Sequence, residues 1–428
     1  MIVGPGQTRV AEDNSAPQPT HRQLLGHSPL FVCAVALLLR LLTMGIGHSW
    51  PLDRTSGLWK SSPEVVNIAS SLVGKRGFSS PFGIESGPTA WLPPVYPAVV
   101  AAAFVVLGER SNAAALAILS LQALLSALTC IPLYAIAKQA FDEKCAVWAA
   151  WGWALSPYAV LIPELFVWET SLSGFLLVLL CYLSLNLSRY DRWNQTLVGF
   201  AFGIAALTNT ALLALMPVFL FAHPLERPAG FPYKKIAVVA LGAALVVCPW
   251  ILRTWLVLGA VVPVRSNFGE ELWVGNHAGG SGRIEFGLGP ADNLTEREHY
   301  RSMGEISYVA QRRAQAVRFI WESPGRFLRR GFYRFGYWWF AQGETGPLFA
   351  LYRVLTVLSF VGIALALPRM GNAAVLAILG SIVTYPLIYC ITDVYARHRY
   401  PIEPLLMCLS AFAVSRPFLK RRARTQDT

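Results

Sequence analysis

The sequence predicts an all-α, polytopic integral membrane protein of about ten transmembrane helices, with two large extracytoplasmic loops carrying amphipathic surface helices. Three observations lead there. Only 14% of the 428 residues are charged, against about 25% in an ordinary soluble domain, and the mean hydropathy is +0.46. The missing charge is concentrated: stretches such as 30–46, 113–137 and 236–252 hold almost none, and each approaches or exceeds the ~20 residues that cross a bilayer. The net charge of +12 sits largely beside apolar runs, where basic residues set topology and meet anionic lipid headgroups. This composition excludes a cytosolic enzyme, a nucleic-acid-binding module and a disordered protein.

Residues 1–29 are polar and contain Pro, Gln and Ser, as expected of a flexible cytoplasmic tail. The apolar run at 30–46 lacks a small-residue cleavage site and is interrupted by Arg40, so it reads as a first span rather than a signal peptide. Arg40 itself is expected to snorkel or to pair with an outer-loop acid. Further spans are expected near 94–108, 113–137, 146–163, 168–188, 196–222, 236–257, 347–367, 373–392 and 401–416. Ten crossings return both termini to one side, and the basic end (Arg416, Lys420, Arg421, Arg422, Arg424) marks that side as the cytoplasm. Loop 223–235 and Arg369 also fall inside; Lys138, Lys144, Arg189 and Arg192 fall outside on this count, against the rule. The expected organisation is therefore a tail at 1–29, a seven-span module over 30–257 that includes the outer loop 48–93, an outer loop at 258–346, a three-span module over 347–416 and a basic tail at 417–428. The cysteines stand singly, mostly in apolar runs, with neither disulfide nor metal-ligand spacing.

The first outer loop contains a short helix from Pro63 to about Phe78, opened by proline and closed by glycines. Its stripe of Val65, Ile68, Ala69 and Leu72 suits a helix lying along the membrane surface, with Glu64 in the first turn. In the second loop, Thr295 and Glu298 form a capping box ahead of a loosely amphipathic helix. Ser323-Pro324 then opens a helix mixing arginine with aromatic residues through Phe340, an interfacial pattern; phosphate binding by Arg329, Arg330 or Arg334 is the other reading. No inverted repeat relates two halves of the chain, and no interrupted spans carry paired acids, so the signature of a secondary transporter is missing. Two large loops on one face argue for chemistry there.

Several stretches, taken in order, carry a resemblance. Glu64 opens the surface helix, followed by Ile68-Ala69 and Gly74-Lys-Arg-Gly-Phe78. Trp91-Leu-Pro-Pro-Val-Tyr-Pro97 then enters an apolar run. Ala206-Leu-Thr-Asn-Thr-Ala211, Glu270-Glu-Leu-Trp-Val-Gly-Asn276 and Ala396-Arg-His-Arg-Tyr-Pro-Ile-Glu-Pro404 follow. From residue 30 to about 415 the chain resembles the dolichyl-phosphate-mannose–protein mannosyltransferase family, which belongs to the GT-C superfamily and has bacterial relatives such as the lipid A aminoarabinose transferase. The resemblance implies inverting transfer of a sugar from a polyprenyl-phosphate donor to an acceptor hydroxyl or phosphate group on a glycan, lipid or protein at the extracytoplasmic face. The compact chain, without an ER-retention signal, suits a bacterial inner membrane, and no motif requires a cofactor or a nucleic-acid partner. A divalent metal is left open. The other readings are a lipid-linked-sugar flippase, a glycan ligase or polymerase, and an inactive relative.

Such a transfer needs a carboxylate base to take the acceptor's proton and fixed cations to meet the charge developing on the leaving phosphate, for which the guanidinium fork is suited. The family's Asp-Glu pair aligns with Ser61-Ser62, so the base is sought nearby: Glu64 first, then Asp53, against the reading that Glu64 only favours its helix N-terminus. Arg397 and Arg399 are the expected donor-phosphate ligands, with His398 and Arg330 as helpers. Glu85, Tyr96, Glu270, Glu271, Trp273 and Asn276 are weaker substrate-binding candidates. Glu164 and Glu169 flank a loop that parity places inside and receive no role; Asn209 is expected to pack helices.

Overall fold

A computed structural model describes Gly26 and residues 28–47, 57–222, 233–283 and 285–426, with side chains as far as 416. Among the described residues the elements are helices, apart from one isolated bridge between Ser79 and Pro88. The first half comprises α1 (Pro29–Gly47), α2 (Pro63–Val73), α3 (Val95–Leu107), α4 (Asn112–Leu128), α5 (Cys130–Ala140), α6 (Glu143–Leu155), α7 (Pro157–Leu165), α8 (Thr170–Leu185) and α9 (Arg192–Ala206). There follow α10 (Leu215–Ala222), α11 (Tyr233–Leu258), α12 (Phe268–Gly275), α13 (Leu294–Met303), α14 (Glu305–Glu322) and α15 (Pro324–Phe340). The chain ends with α16 (Pro347–Ala366), α17 (Ala373–Thr384), α18 (Leu387–Ile391) and α19 (Glu403–Gln426).

Five helical stretches are long and apolar enough to cross a membrane: Pro29–Gly47, Asn112–Ala140, Tyr233–Leu258, Pro347–Arg369 and Ala373–Ile391. A sixth is formed if α6 and α7, bent by 41°, count as one. The bend has a local cause. Ser156 accepts a hydrogen bond from the Ala159 N–H, starting a new helix, and Pro157 has no N–H to continue the old one.

Contacts along these helices define two ends of the bundle. At one end Phe141 stacks on Phe412, Arg369 lies over both rings, and Asn372 donates to the Gln139 carbonyl. Lys138, in the last turn of α5, and the C-terminal helix share this end. At the other end lie the loops that form the site described below. Two expected spans differ from the sequence reading. Segment 94–108 does not reach the far end: it leaves the Val95 N–H bonded to the Leu207 carbonyl, pairs the Tyr96 hydroxyl with Gln122, and turns at Arg110, which donates to Asn67 of α2. It is one arm of a hairpin with the first half of α4. Segment 196–222, expected as one span, is a reversal: α9 ends, Asn209 caps a short 3₁₀ turn, and α10 runs back so that Val218 meets Gly380. The first departure moves Lys138, Lys144, Arg189 and Arg192 to the end shared with the C-terminal helix, and the second returns the chain to that same end before α11. The basic residues that broke the positive-inside rule thereby join the others.

Three further expectations are corrected. The apolar stripe of α2 does not lie on a membrane surface; Val65, Ile68 and Ala69 are buried in a core with Tyr96, Val100 and Phe104. The cap of α13 is Asn293, which accepts from the Thr295 and Glu296 N–H groups, rather than Thr295. Arg40 neither snorkels nor pairs with a loop acid. It is fully buried and donates to Ser126 Oγ (2.9 Å) and to the carbonyls of Ala36, Ala154 and Trp153, tying α1 to α4 and α6.

Candidate active site

The loops at one end of the bundle enclose a cavity of about 480 Å³. Its walls come from the start of α2, the 166–170 turn, the reversal at 209–211, the 265–271 segment, the 285–292 strap and the stretch from Tyr385 to Pro401. Loops far apart in sequence meet here because the helices beneath them are packed. The α2 helix is pinned by its buried stripe, and Pro63 at its first position fixes the turn that presents Glu64. Glu169 directly precedes α8. Asn209, left free by the break after α9, donates from Nδ2 to Glu169 Oε1 (3.4 Å) while its Oδ1 caps Ala211.

Arg397 projects into the same cavity from the 3₁₀ turn Ala396–Ile402. Aromatic rings hold its guanidinium: Trp168 at 4.6 Å, Phe166 at 5.3 Å and Tyr395 at 5.5 Å from Cζ to centroid. A cation caged in this way is oriented yet keeps its N–H fork for an anion. A second cation, Arg265, is paired with Glu271 at 2.5 Å, and Asn267 steadies the same carboxylate.

The carboxylates around them are shifted upward. Burial raises Glu64, against the pull of its backbone N–H and Arg397. Burial pushes Glu169 up to about 7, again opposed by Arg397. Asp393, with burial and Glu271 acting together, also reaches about 7. His398 moves the other way: burial first, then Arg397 and Arg265, hold it well below the usual histidine range, so it is neutral. Its Nδ1 accepts from the Tyr395 N–H (3.2 Å), which leaves the Nε2 proton as its donor. The site combines acids poised near neutrality with a caged guanidinium, the pairing that general-base chemistry beside an anionic leaving group requires.

Of the residues singled out from sequence, the structure brings together Glu64, Arg397, His398, Glu270 and Glu271. It separates the others. Arg399, two positions after Arg397, is fully buried, pairs with Glu403, lies 3.1 Å from the Tyr352 ring centroid and donates to Trp339, Thr356 and Tyr352. Each of its three guanidinium nitrogens donates into the core, so it holds helices together. Arg330 binds the His277 and Gly280 carbonyls behind the cavity wall. Tyr96 is buried on Gln122, Trp273 lies between Arg312 and His277, and Asn276 donates to the Leu272 and Ile391 carbonyls. Glu85 is exposed and outside the cavity. Asp53 lies outside the described residues. Glu270, though at the cavity, is turned to Arg312 (Nε to Oε2 3.3 Å).

Sequence reasoning missed Glu169, Asp393 as a cavity group, Arg265 and Asn209. The signal for Glu169 was obscured by the topology: counting 94–108 as a span placed its loop on the wrong end. Among the described residues, no three His, Cys, Asp or Glu side chains converge as metal ligands.

The chain is similar to several known proteins. Residues 92–252 match the model of the dolichyl-phosphate-mannose-protein mannosyltransferase family. No curated protein sequence matches the chain. Among solved structures, the oligosaccharyltransferase AglB from Archaeoglobus fulgidus, in complex with an inhibitory peptide and a dolichol-phosphate, superimposes with a TM-score of 0.53 at 14% identity, covering 94% of this chain and 52% of that one. The crystal structure of an Archaeoglobus fulgidus oligosaccharyltransferase with Zn and sulfate gives 0.52 at 14% identity, covering 92% and 50%. The chain thus shares their fold and spans about half the length of these proteins. ArnT from Cupriavidus metallidurans, bound to undecaprenyl phosphate, aligns at 0.44 with 14% identity, over 91% of this chain and 78% of that one.

Proposed function

We propose that this protein is a membrane glycosyltransferase that moves a sugar from a polyprenyl-phosphate donor to an acceptor hydroxyl at the cavity. The observation that carries the reading is the convergence of Glu64, Glu169 and ring-caged Arg397 in one cavity at the loop end of the apolar helices. A donor with its isoprenoid tail among those helices presents its phosphate to Arg397. The acceptor hydroxyl loses its proton to Glu64 or Glu169 as its oxygen bonds to the anomeric carbon. The bond from that carbon to the phosphate oxygen breaks, and the phosphate leaves with the electron pair, its charge met by Arg397 and by the Nε2–H of neutral His398. Attack opposite the leaving phosphate inverts the anomeric centre.

The matched family description and the dolichol-phosphate named for AglB belong to this chemistry. The cavity faces the extracytoplasmic side in this reading, because the opposite end collects Lys138, Lys144, Arg369 and the basic C-terminal helix. The test is transfer from a polyprenyl-phosphate sugar to an acceptor mixture by purified protein. E64Q or E169Q, whichever removes the base, is expected to lower the rate by about 10²- to 10⁴-fold. Undiminished transfer by both variants would overturn the assignment of the base.

A further inference from the structure

We infer that Asp393 reads the hydroxyl pattern of the transferred sugar; the inference rests on the glycosyltransferase reading above. Asp393 lines the cavity and is 5% exposed, yet no other described residue hydrogen-bonds or ion-pairs its carboxylate. Its one partner among the described residues is its own backbone N–H. A carboxyl group buried to that extent is ordinarily satisfied by neighbours, so it is left open for something that enters the cavity.

The backbone leading to it is fixed from behind. Arg334, fully buried, donates from Nε to the Cys390 carbonyl (2.8 Å) and from Nη1 to the Gly275 carbonyl (2.9 Å). Asn276 Nδ2 donates to the Ile391 carbonyl (2.8 Å). Gly275 packs so closely that a Cβ there would sit 1.8 Å from the Thr392 carbonyl oxygen. The Cys390 and Ile391 carbonyls are thus held by Arg334 of α15 and by Asn276 at the end of α12, with the Thr392 carbonyl packed against Gly275, which is how a recognition group is kept in place before its ligand arrives.

The charges nearby select the ligand class. Glu271 opposes and Arg265 and Arg334 favour the charged form of Asp393, whereas Arg397 is the leading cation on Glu64 and Glu169. Arg334 and Arg265, the latter paired with Glu271, already place two guanidiniums near Asp393, which disfavours a third cation such as an ammonium group. A hydroxyl both donates and accepts, and a carboxyl near half-protonation does the same. The phosphate belongs with Arg397, which leaves the sugar ring for Asp393.

The experiment compares the binding of two probes, undecaprenyl phosphate and undecaprenyl-phosphate mannose, to the detergent-purified full chain. Wild type is expected to bind the mannosylated lipid more tightly than the bare one. D393A is expected to remove roughly 10- to 100-fold of that preference while leaving affinity for the bare lipid unchanged, which also shows that the variant is folded. D393N keeps one acceptor oxygen and is expected to lose less. An unchanged preference in D393A overturns the inference while leaving the donor class intact. Failure of wild type to bind either lipid instead overturns the glycosyltransferase reading and this inference with it.

Discussion

The turn Ala396–Ile402 has two faces that use the same residue type differently. On the cavity face Arg397 is caged by Trp168, Phe166 and Tyr395 and opens onto Glu64 and Glu169. On the core face Arg399 is enclosed with Glu403, the Tyr352 ring and three further acceptors from α15 and α16. Rings orient a guanidinium without consuming its donors, whereas carbonyls and a carboxylate consume them. An Arg-x-Arg pattern therefore carries one ligand-binding cation and one anchor, and only the three-dimensional partners tell which is which.

The comparison can be broken from its core side with the largest effect. Arg399→Met or Glu403→Gln leaves one member of a buried ion pair uncompensated, at a cost of about 3–5 kcal/mol, and is expected to lower thermal stability sharply in detergent. Arg397→Ala should leave the unfolding temperature near wild type and instead reduce transfer by about 10²- to 10³-fold. Stability loss in R397A with intact transfer would reverse the two roles.

That distinction was invisible in sequence for a physical reason. Hydropathy located the apolar helices and the two loop regions, because burial in lipid leaves a compositional trace. Glu64 at a proline-opened helix and Arg397 near a span end were legible from local chemistry. Arg399, Arg330 and Asn276 were not separable from them, since each looks like an available polar group until its acceptors from α15, from the His277–Gly280 turn or from α18 are seen. Glu169 was hidden by a length criterion. Residues 95–107 are apolar enough to be mistaken for a span, and α9 and α10 together read as one, so the two departures offset each other in the parity of the termini.

A pH profile sharpens the cavity side. A base works only when ionised. With burial holding Glu169 at about 7, the fraction able to accept a proton, and with it the rate, is expected to fall as pH drops through about 7. E169Q should flatten that limb if Glu169 is the base; a limb unchanged in E169Q assigns it to another acid, with Glu64 first. The smallest effect is expected outside the cavity. Glu85→Gln, on an exposed loop, should change stability by no more than about 0.5 kcal/mol and leave transfer unaltered.

The central claim is that Arg397 holds the donor's phosphate. Native mass spectrometry of the purified protein incubated with undecaprenyl phosphate tests it most directly. Wild type is expected to carry one bound lipid phosphate and R397A to lose it, with both proteins equally folded. Equal occupancy in R397A would contradict the claim and move the phosphate site elsewhere in the cavity.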